Sequence, residues 1–169
     1  MKKLLAIFIC IFILCACAPQ SKPGSAADSI SDSCETASEP TVTETPSDSV
    51  CFTAYRGNEN ADGLLSREVY VQAITPRAVL SALVEDGVLT DDVSVLEMRR
   101  EGDELFLDFN TAFADRLNAM GTAGESVTIA ATVNTFLSAY NARTVLITVE
   151  GNTLESGHVI YDMPLTYTE

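Results

Sequence analysis

The feature that most restricts this chain is an abrupt change of texture at residue 51. Residues 18–50, APQSKPGSAADSISDSCETASEPTVTETPSDSV, are Ser, Thr, Pro and acids with almost no large apolar side chain. Such a stretch cannot bury enough surface to offset the entropy lost on ordering, so it reads as a disordered tether. As a coil it would span about 30–35 Å on average and about 110 Å at full stretch. From Cys51 onward apolar residues recur with strand and helix periods, so the fold must be built from residues 51–169. That is enough for one domain and not for two.

The N-terminus carries an address. Lys2 and Lys3 precede an apolar run from Leu4 to Leu14. At about eleven residues this run suits a signal peptide and is too short to span a bilayer as a helix. Leu14-Cys15-Ala16-Cys17 resembles a bacterial lipobox, which is cut before the cysteine whose thiol takes diacylglycerol. Cys17 fits that position; Cys15 does not, because Leu14 stands where a small residue is required. An ordinary signal peptide cut at a small-x-small site is the alternative. The expected organisation is a signal peptide over 1–16, a lipidated Cys17 opening the tether over 17–50, and a domain over 51–169. The expected location is the cell membrane, lipid-anchored, on the extracytoplasmic face.

Charge excludes some partners. The chain is at −14, residues 18–50 contribute −5 and residues 51–169 contribute −11. Nucleic-acid binding relies on neutralising phosphates with Lys and Arg, so no nucleic acid is expected. Adsorption to anionic lipid is disfavoured for the same reason, which leaves the acyl chains on Cys17 to hold the membrane. Of five cysteines, Cys10 and Cys15 leave with the signal peptide, and only Cys34 and Cys51 remain beside Cys17. Export allows them to pair, but Cys34 sits in the tether and nothing in the sequence holds the two thiols together.

Periodicity places short strands at Cys51–Arg56 and Leu65–Ala73, with a turn over Asn58–Gly63. Thr75-Pro76 starts a helix, Val79, Leu80, Leu83 and Val84 form its buried face, and Gly87 closes it. Val93–Arg100 and Glu104–Phe109 predict a hairpin about Gly102. Thr122–Glu125 has the form of a capping box opening a helix to Tyr140. Val145, Ile147 and Val149 alternate in a strand ending at Gly151-Asn152, and a last extended segment covers His158–Leu165. The order is β-β-α-β-β-α-β with a terminal strand. Strands apolar on one face predict an α+β fold, a mixed and mainly antiparallel sheet with two helices packed on one face. Hydroxyls at Thr144 and Thr148 speak against a fully parallel sheet.

Residues with chemical potential have structural explanations. His158 is the only imidazole and has no nucleophile in reach, so it reads as exposed or locally bonded. Asn58, Asn60, Asp62 and Gly63 imitate half a calcium loop, but Val69 stands where the bidentate acid belongs. The acid pairs Glu85-Asp86, Asp91-Asp92 and Asp103-Glu104 read as solvated surface. Asp108 is turned by strand alternation to the face opposite Leu107 and Phe109, and Asn110 and Thr111 beside it suit a strand-end or capping role. Arg99 and Arg100 point to opposite faces and make a poor anion clamp, and Asn134 and Thr135 read as structural hydrogen bonders. No catalytic, cofactor or metal residue is expected, and Cys17 is the sole modified site.

Three segments carry a resemblance. Leu105-Phe-Leu-Asp-Phe-Asn-Thr-Ala-Phe113 is similar to the strand and following element of the GerMN domain, the module of sporulation and spore-germination lipoproteins. Val133–Gly151 is similar to its helix and next strand, and Ala73–Gly87 occupies the place of its first helix. The likeness covers about residues 65–165, and departs from the pattern at Gly87-Val88, where a Gly-Pro commonly stands. The resemblance implies a non-catalytic domain that contacts envelope or sporulation proteins. A lipoprotein that captures a small ligand or a cell-wall fragment is the second reading, and a hydrolase with an unfamiliar site the third.

Overall fold

A computed structural model describes residues 49–168; the expected signal peptide, Cys17, Cys34 and nearly all of the tether lie outside them. The chain divides into two units, Met1–Val42 and Thr43–Glu169, and every described residue belongs to the second.

The first two strands, β1 (Val50–Gly57) and β2 (Leu64–Val71), form an antiparallel hairpin that is a sheet of its own. Helix α1 (Pro76–Glu85) follows. It starts as expected, with the Thr75 hydroxyl accepting the Ala78 N–H at 3.1 Å and Pro76 in the first turn. It ends in a Schellman motif: Val88 N–H reaches Leu83 O and Gly87 N–H reaches Val84 O. Gly87 takes φ +71 there, a conformation that a side chain disfavours.

The main sheet comprises β3 (Val95–Glu101), β4 (Glu104–Phe109), β5 (Thr144–Val149), β6 (Asn152–Glu155), β7 (Ile160–Tyr161) and β8 (Leu165–Thr166). The pair β3–β4 is the expected hairpin about Gly102, and β4–β5 is parallel while all other pairs are antiparallel. The mixed, mainly antiparallel α+β fold holds. The parallel pair needs a long crossover, and α2 (Thr111–Asn118) and α3 (Thr122–Tyr140) supply it.

Helix packing differs from the sequence expectation in two ways. There are three helices among the described residues, because a further helix, α2, starts here: of the two roles expected of Asn110 and Thr111, strand end or cap, Asn110 takes the N-cap position and Thr111 the first helical one. Nor do the helices simply cover one face of a single sheet. The β1–β2 hairpin lies on α3, where Thr53 N–H donates to Ser138 Oγ at 3.0 Å and Tyr55 N–H to Thr135 Oγ1 at 2.9 Å. Gly57 permits this approach, since a Cβ there would stand 2.5 Å from Val127 Cγ1. With the hairpin on one side and Phe109 against Phe136 on the other, α3 is buried almost all round. That explains its polar interior residues: Thr128, Thr132, Asn134 and Thr135 are all buried.

Candidate functional site

Strand alternation sorts β4 and β5 into two faces. Leu105, Leu107, Phe109, Val145 and Ile147 point into the core, and Glu104, Phe106, Asp108, Thr144, Leu146 and Thr148 point away from it. Among the described residues no helix covers that outward side, where these side chains are all partly exposed. Register then builds its rows. Arg99 lies beside Phe106 and Phe106 beside Leu146; Glu97 lies beside Asp108 and Asp108 beside Thr148.

The centre of this open face is a shallow basin of about 170 Å³ lined by Glu97, Arg99, Phe106, Asp108, Leu146 and Thr148. The Arg99 guanidinium lies 3.5 Å over the Phe106 ring, a cation–π contact, and pairs with Glu101. Asp108 accepts from Thr148 Oγ1 at 2.6 Å and from Gly151 N–H at 2.8 Å, so its carboxylate fastens the turn after β5. Thr144 donates to Glu104 at 3.3 Å. The hydroxyls of Thr144 and Thr148 therefore find acidic partners on the parallel neighbour. The face continues through Thr153 and Glu155 to Ile160 by pairing.

Arg100 points to the helical side, as expected of alternation. It donates to Tyr140 O at 2.8 Å and Asn141 O at 3.2 Å, a cation at the negative end of α3. Asn134 is structural: its side chain donates to Thr168 O at 2.7 Å and accepts Thr168 N–H at 3.0 Å. Thr135 donates to Ala131 O and accepts from Tyr55, again a structural task.

The expected capping box does not form. Gly121 is the N-cap of α3, and Glu125 turns inward instead. Glu125 is only 1% exposed and accepts from Ser156 Oγ and, at 2.7 Å, from Tyr161 OH. Burial, then the bond to Glu125, push the Tyr161 hydroxyl well above the usual tyrosine range, so it remains a donor. Sequence reasoning missed this carboxylate because its helix-start position offered a local use. The available signal was its spacing, four residues before the core residue Ile129 and therefore on the same helical face.

The segment after β6 is thus held at both ends, by Glu125 and by Asn134, and Asn118 Oδ1 adds a bond to Gly157 N–H at 2.8 Å. Between those anchors Val159, Ile160 and Met163 are 42%, 60% and 71% exposed. His158 is exposed with its backbone N–H on Ser156 Oγ. A second concavity of about 630 Å³ lies between α1 and the start of β3, with Leu80, Val84, Val93 and Val95 as its apolar lining.

The remaining candidates are accounted for. Asn58 and Asp62 satisfy each other, Nδ2 donating to Asp62 Oδ1 at 2.7 Å and Asp62 N–H to Asn58 Oδ1 at 3.2 Å, which is turn chemistry. Glu85 and Asp86 both bind Arg67 of β2 at 2.9 Å, while Asp91 and Asp92 are exposed. Asp103 stands within 3.5 Å of Arg143. Cys51 is an exposed free thiol. Among the described residues no group of three His, Cys, Asp or Glu is placed to hold a metal, and no helix is long and apolar enough to cross a membrane.

A solved structure shares this fold at low identity. The tandem GerMN domains of the sporulation protein GerM from Bacillus subtilis superpose with a TM-score of 0.53 at 16% identity, over 77% of this chain and 49% of that one. This chain therefore spans about half the length of the tandem structure. A chain described as a lipoprotein from Clostridium perfringens gives a TM-score of 0.47 at 14% identity, over 75% of this chain and 93% of that one. No curated protein matches the sequence. Residues 50–155 match the family described as "Germane: Sporulation and spore germination". That match covers more than half of the chain, and the chain belongs to the Germane family.

Proposed function

We propose that this protein is a lipid-anchored, extracytoplasmic member of the family whose non-catalytic domain acts by binding another protein in sporulation, germination or envelope assembly. The observation that carries the reading is the exposed apolar run Val159, Ile160 and Met163, displayed on a segment that Glu125 and Asn134 fix to α3. Exposed apolar side chains on a rigid backing are what an interface requires, since little ordering entropy is left to lose on contact. The ionisable residues support it too: Asp108, Glu85, Asp86 and Glu125 are all engaged in holding the fold. Cys17 supplies the anchor and residues 18–50 the reach. The groove between α1 and β3 favours a second reading, capture of a small ligand or cell-wall fragment.

The test uses the full chain in cells. Cys17→Ser is expected to leave an unprocessed precursor without diacylglycerol, read by mass spectrometry of the membrane fraction. A photo-crosslinker at Met163 is expected to capture one protein, and Ile160→Lys to abolish the capture by desolvating a charge at the contact. His158→Ala is expected to leave capture intact. Turnover of a cell-wall or ester substrate that disappears in His158→Ala, with the fold preserved, would overturn the reading.

A further inference from the structure

The open face of β3–β5 combines apolar and acidic side chains. Its centre is apolar, with Phe106 and Leu146 side by side in register. Around them, by pairing and alternation, stand Glu97, Glu101, Glu104, Asp108 and Glu155, against a single cation, Arg99. Thr144, Thr148, Thr153, Thr166 and, at the edge, Ile160 fill the remaining outward positions that pairing defines. The face therefore has two apolar side chains at its centre within a ring of carboxylates, with Ile160 beside Glu155 at its far edge.

We infer that this face is the docking surface for a basic segment of a partner protein, an extended stretch that carries arginine or lysine two residues before and two residues after an aliphatic residue, so that all three share one face. The inference rests on the protein-binding reading above and names the chemistry of the partner. Charge complementarity selects the occupant. A second copy would bring the same five carboxylates and the same net −11 over residues 51–169. The chain's own residues 18–50 offer one cation, Lys22, against six acids. Anionic lipid and nucleic acid are repelled. A cationic peptide is attracted, and its encounter is accelerated by the same field.

The geometry shows how such a segment would seat. Arg99 already demonstrates one contact, a guanidinium face-on over Phe106. The Arg99 side chain is half exposed, so it borders the basin without closing it. An aliphatic side chain of the partner fits the space of about 170 Å³ between Phe106, Leu146 and Thr148, too small for most free metabolites. Side chains on one face of an extended segment repeat every two residues, roughly 6.6–6.8 Å, so cations on either side of that anchor reach Glu97 and Glu104.

The experiment titrates isotope-labelled full chain in detergent with two synthetic nine-residue peptides of equal charge, one with Arg and Val taking turns at every second position and Ser between them, and one with Gly in place of each Val. Amide shifts are expected to be confined to residues 97–101, 104–108 and 144–148, with the Arg-Val peptide binding at least tenfold tighter. Leu146→Thr and Glu97→Arg, both outward-facing, are each expected to weaken it at least tenfold with unchanged melting temperature. Shifts spread equally over Asp62, Asp91, Asp92 and Asp162 would show unspecific charge attraction and overturn the assignment. A dimer in sedimentation that Leu146→Thr dissociates would give the face to a second copy and overturn it too. Capture from Met163 with no peptide response at the face would overturn the docking surface while leaving the protein-binding reading in place.

Discussion

Leu105, Leu107 and Phe109 are at most 1% exposed, while Glu104, Phe106 and Asp108, interleaved with them on β4, face outward and are partly wet. The two faces share backbone, register and neighbours in sequence, and differ only in what packs on them. The inner face meets α2 and α3, with Phe109 stacked on Phe113 at 4.3 Å. The outer face meets solvent, yet it is organised: Arg99 lies over Phe106, and Asp108 ties β4 to the turn after β5. One face supplies stability, and the other is the one proposed above for recognition. Mutations should therefore separate the two properties.

The sharpest separation compares two phenylalanines three residues apart. Phe109→Ala removes a fully buried ring and is expected to cost roughly 3–5 kcal/mol in urea unfolding. Phe106→Ala, on the open face, is expected to cost less than about 1 kcal/mol. Equal losses would show that the outer face is core by another name, and the contrast would break. Asp108→Ala is expected to fall between them, at roughly 1–3 kcal/mol, because it strands Gly151 N–H and Thr148 Oγ1 together. A loss within error of zero would mean that the turn closes without the carboxylate.

The smallest expected effect lies on the helical side, at Tyr161. Its folded-state pKa is raised above the ordinary 10.0, by burial and then by Glu125. A raised pKa means that the folded chain holds the proton more tightly. The stabilisation is complete below about pH 10 and is lost as pH climbs toward the raised value. Denaturation midpoints from pH 8 to 11.5 should decline at the alkaline end, and the decline should be shallower in Tyr161→Phe. Tyr140, pushed up to about 12 by burial, and Tyr167, raised chiefly by burial, contribute to the slope that remains. An unchanged slope in Tyr161→Phe would remove Tyr161 from the alkaline transition.

Local signals in the sequence reached far into this fold. The Thr75 cap, Gly87, the Gly102 hairpin and the alternation of β4 and β5 are short-range properties of the chain, and each appears where the pattern put it. Helix α2 was overlooked although Phe113 and Leu117 stand four apart, because an eight-residue helix offers two turns of periodicity beside a persuasive strand end. Glu125 was misassigned for a related reason. The Thr-x-x-Glu spacing satisfies a local rule, but the carboxylate gains more from Tyr161 and Ser156, which lie more than thirty residues away. The open face was half legible: alternation placed Asp108 outward, but Phe106 looked like one more apolar residue until register set Arg99 on one side of it and Leu146 on the other.

By itself the sequence determined the α+β class, the negative charge and the direction in which most strand residues point. These follow from composition and from periods of two and 3.6 residues, which act over a few positions at a time. Only the tertiary structure decided that β4 and β5 run parallel, that the first hairpin closes over α3, and that two acid-rimmed apolar residues share an uncovered face. Those outcomes depend on pairings between segments far apart in the chain. Many registers satisfy the same local pattern, and the packing of all segments together selects one.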